Sequence, residues 1–153
     1  MEARQMLLSE LEKKIIKTLR EDSRISIREL ARKLNAPHST VYEKLRRLER
    51  EGIIRSYTII VDYKKLGYTV TALILVNVEG SMIVDVENWL AKEPNVLAVY
   101  DITGEYDIAI IASFKSIDEL DAFIKKILKN PYIKQTRTSI VFRKVKEEIH
   151  LPL

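Results

Sequence analysis

Apolar residues recur at every third or fourth position through residues 9–51, a spacing that predicts amphipathic helices rather than strands. Ser9, Ser26 and Ser116 each stand three residues before a glutamate, which is the spacing of a capping box at the start of a helix. The first helix is therefore predicted over Glu10–Glu21. Two further helices follow Ser26, so these residues predict a compact trihelical unit.

The stretch from Ser26 to Gly52, SIRELARKLNAPHSTVYEKLRRLEREG, has the pattern of a helix-turn-helix. Each of its two helices carries an apolar stripe that can bury against the other: Leu30, Ala31 and Leu34, then Val41, Leu45 and Leu48. Asn35 tolerates the left-handed backbone of a tight turn, and Ser39 is expected to cap the second helix. A helical hairpin with a solvated charged face has the same pattern, and that alternative stays open.

The outward residues of the second helix are the candidates for contacting DNA. Arginine and lysine can bind phosphates or guanine edges, while threonine can bind either bases or phosphates. We expect the contacts to come from His38, Ser39, Thr40, Lys44 and Arg47. His38 can equally be an ordinary surface residue of the turn, and Tyr42 can stack on a sugar or pack against the preceding helix.

After Gly52 the period of the apolar residues changes from about 3.6 to about 2. An extended strand is predicted over Ile54–Val61, where it serves as a linker. The remaining pattern predicts strand, helix, strand, strand, helix and strand over Thr69–Val78, Met82–Lys92, Val96–Thr103, Ile108–Phe114, Ile117–Leu128 and Ile133–Lys146. This βαββαβ order predicts a ferredoxin-like arrangement, with a four-stranded antiparallel sheet and both helices on one face, and hence an α+β protein.

The strand segments Ala72–Val76 and Ile108–Ala112 are apolar on both faces, although helices are expected to cover only one face. A second subunit is the natural cover for the other face, so we expect a homodimer at minimum. The predicted organisation is a helix-turn-helix domain at 1–53, a strand linker at 54–66 and a βαββαβ domain at 67–153.

The composition argues against several kinds of chemistry. The 153 residues include no cysteine, which excludes disulfides, thiolate zinc sites and cysteine nucleophiles. Two isolated histidines, His38 and His150, do not indicate a metal site, and no nucleophile with a neighbouring base or glycine-rich phosphate loop indicates an enzyme or a bound cofactor. No apolar run reaches the roughly eighteen residues of a membrane span, and the charged N-terminus does not resemble a secretory signal. We therefore expect a cytoplasmic protein.

The positive charge is concentrated in the first third of the chain. Residues 1–55 contain 14 Lys and Arg against 9 Asp and Glu, whereas residues 56–153 contain 12 against 13. This distribution predicts that only the first part of the chain meets a polyanion such as DNA.

The turn formed by Gly104, Glu105, Tyr106 and Asp107 is the candidate site for a small molecule. Glycine lets the backbone approach a ligand closely, and free N–H groups in such a turn can hold a carboxylate. An ammonium group can be bound by Asp107, by Glu105 or by main-chain carbonyls. Thr136 and Thr138 alternate on one face of the last strand, so their hydroxyls point the same way. A glycine turn between two strands also needs no ligand to explain it.

The order of these parts resembles the Lrp/AsnC family of transcription regulators, also called feast/famine regulators. The resemblance covers residues 9–146, and its most specific pieces are LSELEKKIIKTLREDSRISIRELARKLNAPHSTVYEKLRRLEREGII and ITGEYDIAI. Members usually have glycine in the helix-turn-helix turn, where this chain has Asn35. Because asparagine can adopt the same backbone conformation, this departure does not weaken the resemblance.

The resemblance implies dimers that bind pseudo-palindromic DNA and assemble further, with an octamer expected here. It also implies a small effector, usually an amino acid, which binds between dimers and changes assembly or DNA affinity, and it places Thr136 and Thr138 beside the turn. Two other functions compete with this one. An architectural protein would wrap DNA with little specificity and steep salt dependence, and an enzyme can be built on a ferredoxin-like domain.

Overall fold

The computed structural model describes residues 7–147 and 151–152, and these form two compact units. The first unit contains residues 7–60 and 151–152, and the second contains residues 61–147. Each unit has its own cluster of buried apolar side chains, as expected of separate folding units. Within the described ranges, no helix has both the length and the apolar character needed to cross a bilayer.

Three helices make up the first unit: α1 spans Glu10–Glu21, α2 spans Ile27–Lys33 and α3 spans His38–Arg50. The predicted trihelical unit is thereby confirmed. The two capping boxes predicted in this unit form, because each serine hydroxyl accepts from the glutamate N–H while the glutamate carboxylate accepts from the serine N–H. The box predicted at Ser116 is incomplete, because the Glu119 carboxylate accepts from the Lys115 N–H instead. The core of the unit contains fully buried side chains from all three helices: Ile15, Leu30, Val41 and Leu48.

The start of α3 differs from the prediction. Pro37, not Ser39, occupies the N-cap position, and no side chain caps the helix. Proline suits this place because its ring restricts φ, here −58°, and its carbonyl accepts the Val41 N–H at 3.0 Å. Ser39 consequently lies exposed in the first turn of α3.

Two left-handed residues set the ends of α2 and α3. Asn35 has the predicted conformation, with φ 49°, and turns the chain between the two helices. Gly52, with φ 70°, follows α3 in a Schellman motif: its N–H donates to Glu49 O at 3.0 Å, and the Ile53 N–H donates to Leu48 O at 2.9 Å. These two bonds satisfy carbonyls that the end of α3 otherwise leaves unpaired.

The second unit has the predicted βαββαβ order. Its elements are β1 Val70–Val78, α4 Ile83–Leu90, β2 Val96–Asp101, β3 Ile108–Phe114, α5 Ile117–Ile127 and β4 Ile133–Ile140. All three strand pairings are antiparallel, and the strand order is β2-β3-β1-β4. The ferredoxin-like prediction is therefore confirmed.

The last strand is shorter than predicted, because β4 ends at Ile140 rather than at Lys146. The Val141 N–H still donates to Thr71 O at 2.8 Å, but β1 itself begins at Val70. The same register places Phe142 opposite Val70, the first residue of β1, so residues after Phe142 have no residue of β1 left to pair with.

The linker also departs from the prediction, since residues 54–61 form no strand. They have no strand to pair with among the described residues. Two of their apolar side chains, Ile59 and Ile60, are 78% and 84% exposed. A strand needs a neighbour to satisfy its backbone groups. A single-turn 3-10 helix, Tyr63–Leu66, follows the linker, and Asp62 caps it.

The strand register separates two faces of the sheet. Ala72, Ile74, Val76 and Val78 of β1 are buried in the core that α4 and α5 cover. Their alternate neighbours point to the other face, where Leu73 lies opposite Ile111 and Leu75 lies opposite Ala109. Leu73, Leu75 and Ile111 are only half-buried within the subunit. We call this surface the open face.

Substitution of Asn35 tests its left-handed backbone. We expect Asn35→Gly to leave the free energy of unfolding within about 1 kcal/mol of wild type, because glycine adopts this backbone without strain. Asn35→Val should destabilise by about 1–2 kcal/mol, the cost of a left-handed conformation for an ordinary residue. Urea unfolding followed by circular dichroism measures both changes. Equal stability of the valine and glycine variants would contradict the assigned role of this residue.

Candidate nucleic-acid interface and effector turn

Helix α3 has a buried stripe and an opposite exposed stripe. Val41, Leu45 and Leu48 are buried against α1 and α2. The exposed side chains of this helix are His38, Ser39, Tyr42, Glu43, Arg46 and Arg50. In a helix-turn-helix, the exposed stripe of this second helix is the surface that can enter a major groove.

A buried carboxylate connects α1 to one flank of α3. The side chain of Glu12 is 1% exposed, and its Oε2 accepts from the Ser9 N–H at 2.8 Å and from Ser9 Oγ at 2.7 Å. Its Oε1 accepts from Arg47 Nη1 at 2.9 Å and from Lys44 Nζ at 3.4 Å. The same carboxylate therefore completes the cap of α1 and binds two cations of α3.

The protonation of Glu12 reflects this environment. Burial alone would raise the pKa of its carboxyl, since it disfavours the charged form. The hydrogen bonds from Ser9 and the charges of Lys44 and Arg47 outweigh burial and lower the pKa below its ordinary value of 4.5. Glu12 is consequently a carboxylate at neutral pH.

Lys44 and Arg47 were predicted to point outward, and this orientation is wrong. Their side chains turn toward Glu12 and are 31% and 38% exposed. The carboxylate attracts them because an unpaired charge at its buried position is costly. Of the other residues predicted to contact DNA, His38 and Ser39 are exposed and Thr40 is half-buried.

Arg46, in contrast, points away from the helical core. Its side chain is 63% exposed, and Nη1 donates to Glu49 Oε2 at 3.1 Å. Tyr57 Oη donates to the other oxygen of Glu49 at 2.8 Å. Partial desolvation of the Tyr57 hydroxyl, followed by its hydrogen bond to Glu49, raises the pKa of the phenol to about 12, so the hydroxyl remains a donor at neutral pH. The chain after α3 thereby helps to hold a basic side chain on its exposed stripe.

The Gly104–Asp107 turn lies between β2 and β3 and is fastened to β1. Asp107 Oδ2 accepts from the Val78 N–H at 2.8 Å, and the Asp107 N–H donates to Val76 O at 3.1 Å. Asn77 Nδ2 donates to Glu105 O at 2.7 Å. Gly104 has φ 121°, a conformation that side chains rarely adopt. The turn is thus held in one shape by its neighbour strand.

Three consecutive N–H groups of this turn have no hydrogen-bond partner among the residues that the structure describes: those of Gly104, Glu105 and Tyr106. Gly104 and Glu105 are exposed, whereas the side chain of Tyr106 is buried. Free N–H groups of this kind can bind an anion.

The predicted strand residues lie near the turn, with β1 between them. Thr136 pairs with Val76, the residue whose carbonyl binds Asp107, and Thr138 pairs with Ile74. Both threonines therefore share the helix-covered side of the sheet with these buried residues. Gln135 comes closer to the turn, because its Nε2 donates to Tyr106 Oη at 3.4 Å.

Neither Asn77 nor Gln135 was predicted as part of the site. Their contacts join residues 28 and 29 positions apart along the chain, so no local pattern marks them. A cavity of about 590 Å³ also lies in the second unit, but its lining includes Tyr68, Asn95 and Arg143 and none of the turn residues. His150 falls outside the described residues, and within the described ranges no cluster of carboxylates and histidines suits a metal ion.

Two family models match the chain. The model described as the Lrp/AsnC ligand binding domain matches residues 71–151, and the model described as a winged helix-turn-helix DNA-binding domain matches residues 8–55. HTH-type transcriptional regulator FL11 of Pyrococcus horikoshii is 37% identical over 146 residues, covering 95% of this chain and 97% of its own.

Solved structures show the same architecture. AsnC of E. coli superposes with a TM-score of 0.90 at 28% identity, covering 96% of this chain and all of AsnC. A transcriptional regulator from Neisseria meningitidis, solved as a complex with L-Met, superposes with a TM-score of 0.89 at 25% identity, covering 95% and 97% of the two chains.

Replacement of Glu12 tests the ion-pair cluster. We expect Glu12→Gln to destabilise the protein by about 1.5–3 kcal/mol at neutral pH, the range for hydrogen bonds to charged groups. Because folding lowers the pKa of Glu12, its contribution is present above pH 4.5 and is lost as the pH falls through the folded-state pKa. The difference between variant and wild type should therefore shrink in acid.

Urea unfolding at neutral and acidic pH measures this difference. Glu10→Gln is the matched control, since Glu10 also lies in the first turn of α1 but has an exposed side chain. It should change stability little. A difference for Glu12→Gln that is independent of pH would contradict the assigned charge.

Proposed function

Because the chain belongs to the Lrp/AsnC family of transcriptional regulators, we propose that an amino acid bound at its Gly104–Asp107 turn controls how its subunits assemble on DNA. Members of this family are HTH-type transcriptional regulators and not enzymes. We assign DNA binding to residues 1–53, the role of linker to residues 54–66, and effector binding and oligomerisation to residues 67–153. We expect the protein to act in the cytoplasm, where its DNA target would lie.

The observation that carries the effector proposal is that the N–H groups of Gly104, Glu105 and Tyr106 have no partner within the described ranges. A carboxylate can accept from these groups. Asp107 uses Oδ2 to bind Val78 and leaves Oδ1 for an ammonium, and Glu105 or a main-chain carbonyl offers an alternative. An amino acid carries both charges on adjacent groups, and the N. meningitidis relative with bound L-Met supports this ligand class.

The open face supports assembly as a dimer. Leu73, Leu75 and Ile111 form an apolar centre that only a second layer removes from water. In the first unit, Ile59 and Ile60 are exposed as well. Two-fold symmetry then places two α3 helices in successive major grooves, roughly 34 Å apart. We expect dimers to assemble further into an octamer. The effector would change the contacts between these dimers.

We expect His38, Ser39 and Thr40, at the start of α3, to contact DNA. Exposure supports this role for His38 and Ser39. Lys44 and Arg47 remain candidates for phosphate contacts, since each retains a partly exposed side chain beside Glu12.

A thermal-shift screen against the twenty amino acids tests the effector site. A ligand at a hundred times its Kd stabilises the folded state by about 2.7 kcal/mol, so we expect one or a few amino acids to raise Tm by about 5 °C or more. Asp107→Asn should abolish the shift while keeping an acceptor for Val78, and Thr138→Val should weaken it. Asp85→Asn, at an exposed carboxylate of α4, is the matched control and should keep the shift.

Sedimentation of the same samples tests the link between ligand and assembly. The mass distribution should change with any amino acid that raises Tm, because ligand and assembly equilibria are coupled. A shift that survives in Asp107→Asn would place the ligand elsewhere. Absence of any shift would favour an effector-independent or architectural regulator instead.

A further inference from the structure

We propose that Glu43 and Arg46 are the residues that determine sequence specificity, and that each half-site they read contains a G·C base pair. Lys44 and Arg47, the cations on the flank of the same helix, are instead committed to Glu12. The inference rests on the proposed function, since it names the bases that the DNA-binding unit selects.

The geometry of α3 separates the two pairs of residues. Glu43 and Arg46 stand one helical turn apart, and both are exposed on the side opposite the buried Val41 and Leu48. Glu43 precedes Lys44 and Arg46 precedes Arg47 in the sequence, but successive residues of a helix are rotated by about 100° about its axis. That rotation carries Lys44 and Arg47 to the flank that faces Glu12.

The chemistry of the exposed pair matches the two edges of one kind of base pair. The planar guanidinium of Arg46 can donate to guanine O6 and N7, and the carboxylate of Glu43 can accept from cytosine N4. Glu43 has no hydrogen bond or ion pair among the described residues. A carboxylate on a DNA-facing surface is repelled by phosphates, so it favours binding only where a base edge offers it a donor. Glu43 thus rejects sites that lack this donor.

Arg46 is also oriented before DNA arrives. Glu49 accepts from its Nη1 at 3.1 Å, and Tyr57 Oη donates to Glu49 at 2.8 Å. One of the five guanidinium N–H donors is occupied in this way, and the side chain remains 63% exposed. Glu49 and Tyr57 are therefore positioning residues, which hold the fork of Arg46 without contacting a base.

Selection of binding sites from a random duplex library, using the full-length protein, tests the assignment. We expect the wild type to enrich half-sites with an invariant G·C pair. Glu43→Gln should relax the preference for cytosine in this pair, because an amide can donate as well as accept, whereas a carboxylate needs a donor on the base. Arg46→Gln should lose the guanine preference. The relative affinities for the affected base should change by about 5- to 100-fold, as expected for one specific contact.

Lys14→Gln is the matched control, since it removes an exposed positive charge from α1 of the same unit. It should keep the wild-type base preferences, because Lys14 lies outside α3. Glu43 and Arg46 are exposed, so their variants should show wild-type circular dichroism. Tyr57→Phe should lower the affinity for the selected sequence and leave the affinity for non-specific duplex unchanged. If Tyr57 had only a structural role, the substitution would lower both affinities.

Two results overturn the assignment while leaving the proposed function standing: unchanged base preferences in both Glu43→Gln and Arg46→Gln, or altered preferences in Lys14→Gln. A wild-type protein that binds duplex DNA but enriches no sequence overturns this assignment together with sequence-specific regulation. An amino-acid response in the thermal-shift screen is independent of all three results.

Discussion

The buried carboxylate of Glu12 is the interaction on which the DNA-binding unit depends. It closes the capping box with Ser9 and, through its other oxygen, binds Arg47 and Lys44 of α3. A carboxylate with 1% of its side chain exposed is tolerated only with this full set of partners. The position of α3 against α1 and the orientation of its flanking cations are consequently parts of one arrangement.

This arrangement gives a division of labour along a single helix. The cations on the flank that faces α1 hold the helix in place, whereas the side chains of the opposite stripe remain available to a DNA groove. Tyr57, which follows α3 in the chain, donates a hydrogen bond to Glu49, and Glu49 accepts a hydrogen bond from Arg46. The second unit uses a carboxylate in a comparable way, since Asp107 fastens its turn to Val78 and leaves neighbouring N–H groups free.

The elements that the sequence predicts well are those with local signals. Glu10–Glu21 and Ile108–Phe114 match their predicted bounds, because a capping box opens the helix and a glycine turn precedes the strand. The errors involve partners that local patterns do not reveal. Lys44 and Arg47 face a carboxylate 32 and 35 residues earlier, and the predicted linker strand has no pairing partner within the described chain. The roles of the effector turn and of the DNA contacts remain predictions, since they depend on molecules outside the chain.

A crystal structure of the full-length protein bound to its selected duplex tests the central claim most directly. The account predicts that Arg47 Nη1 stays near 2.9 Å from Glu12 Oε1, while the Arg46 guanidinium and the Glu43 carboxylate lie within hydrogen-bond distance of base edges. Release of Lys44 or Arg47 from Glu12 onto the bases, with Glu43 and Arg46 left in solvent, would contradict it.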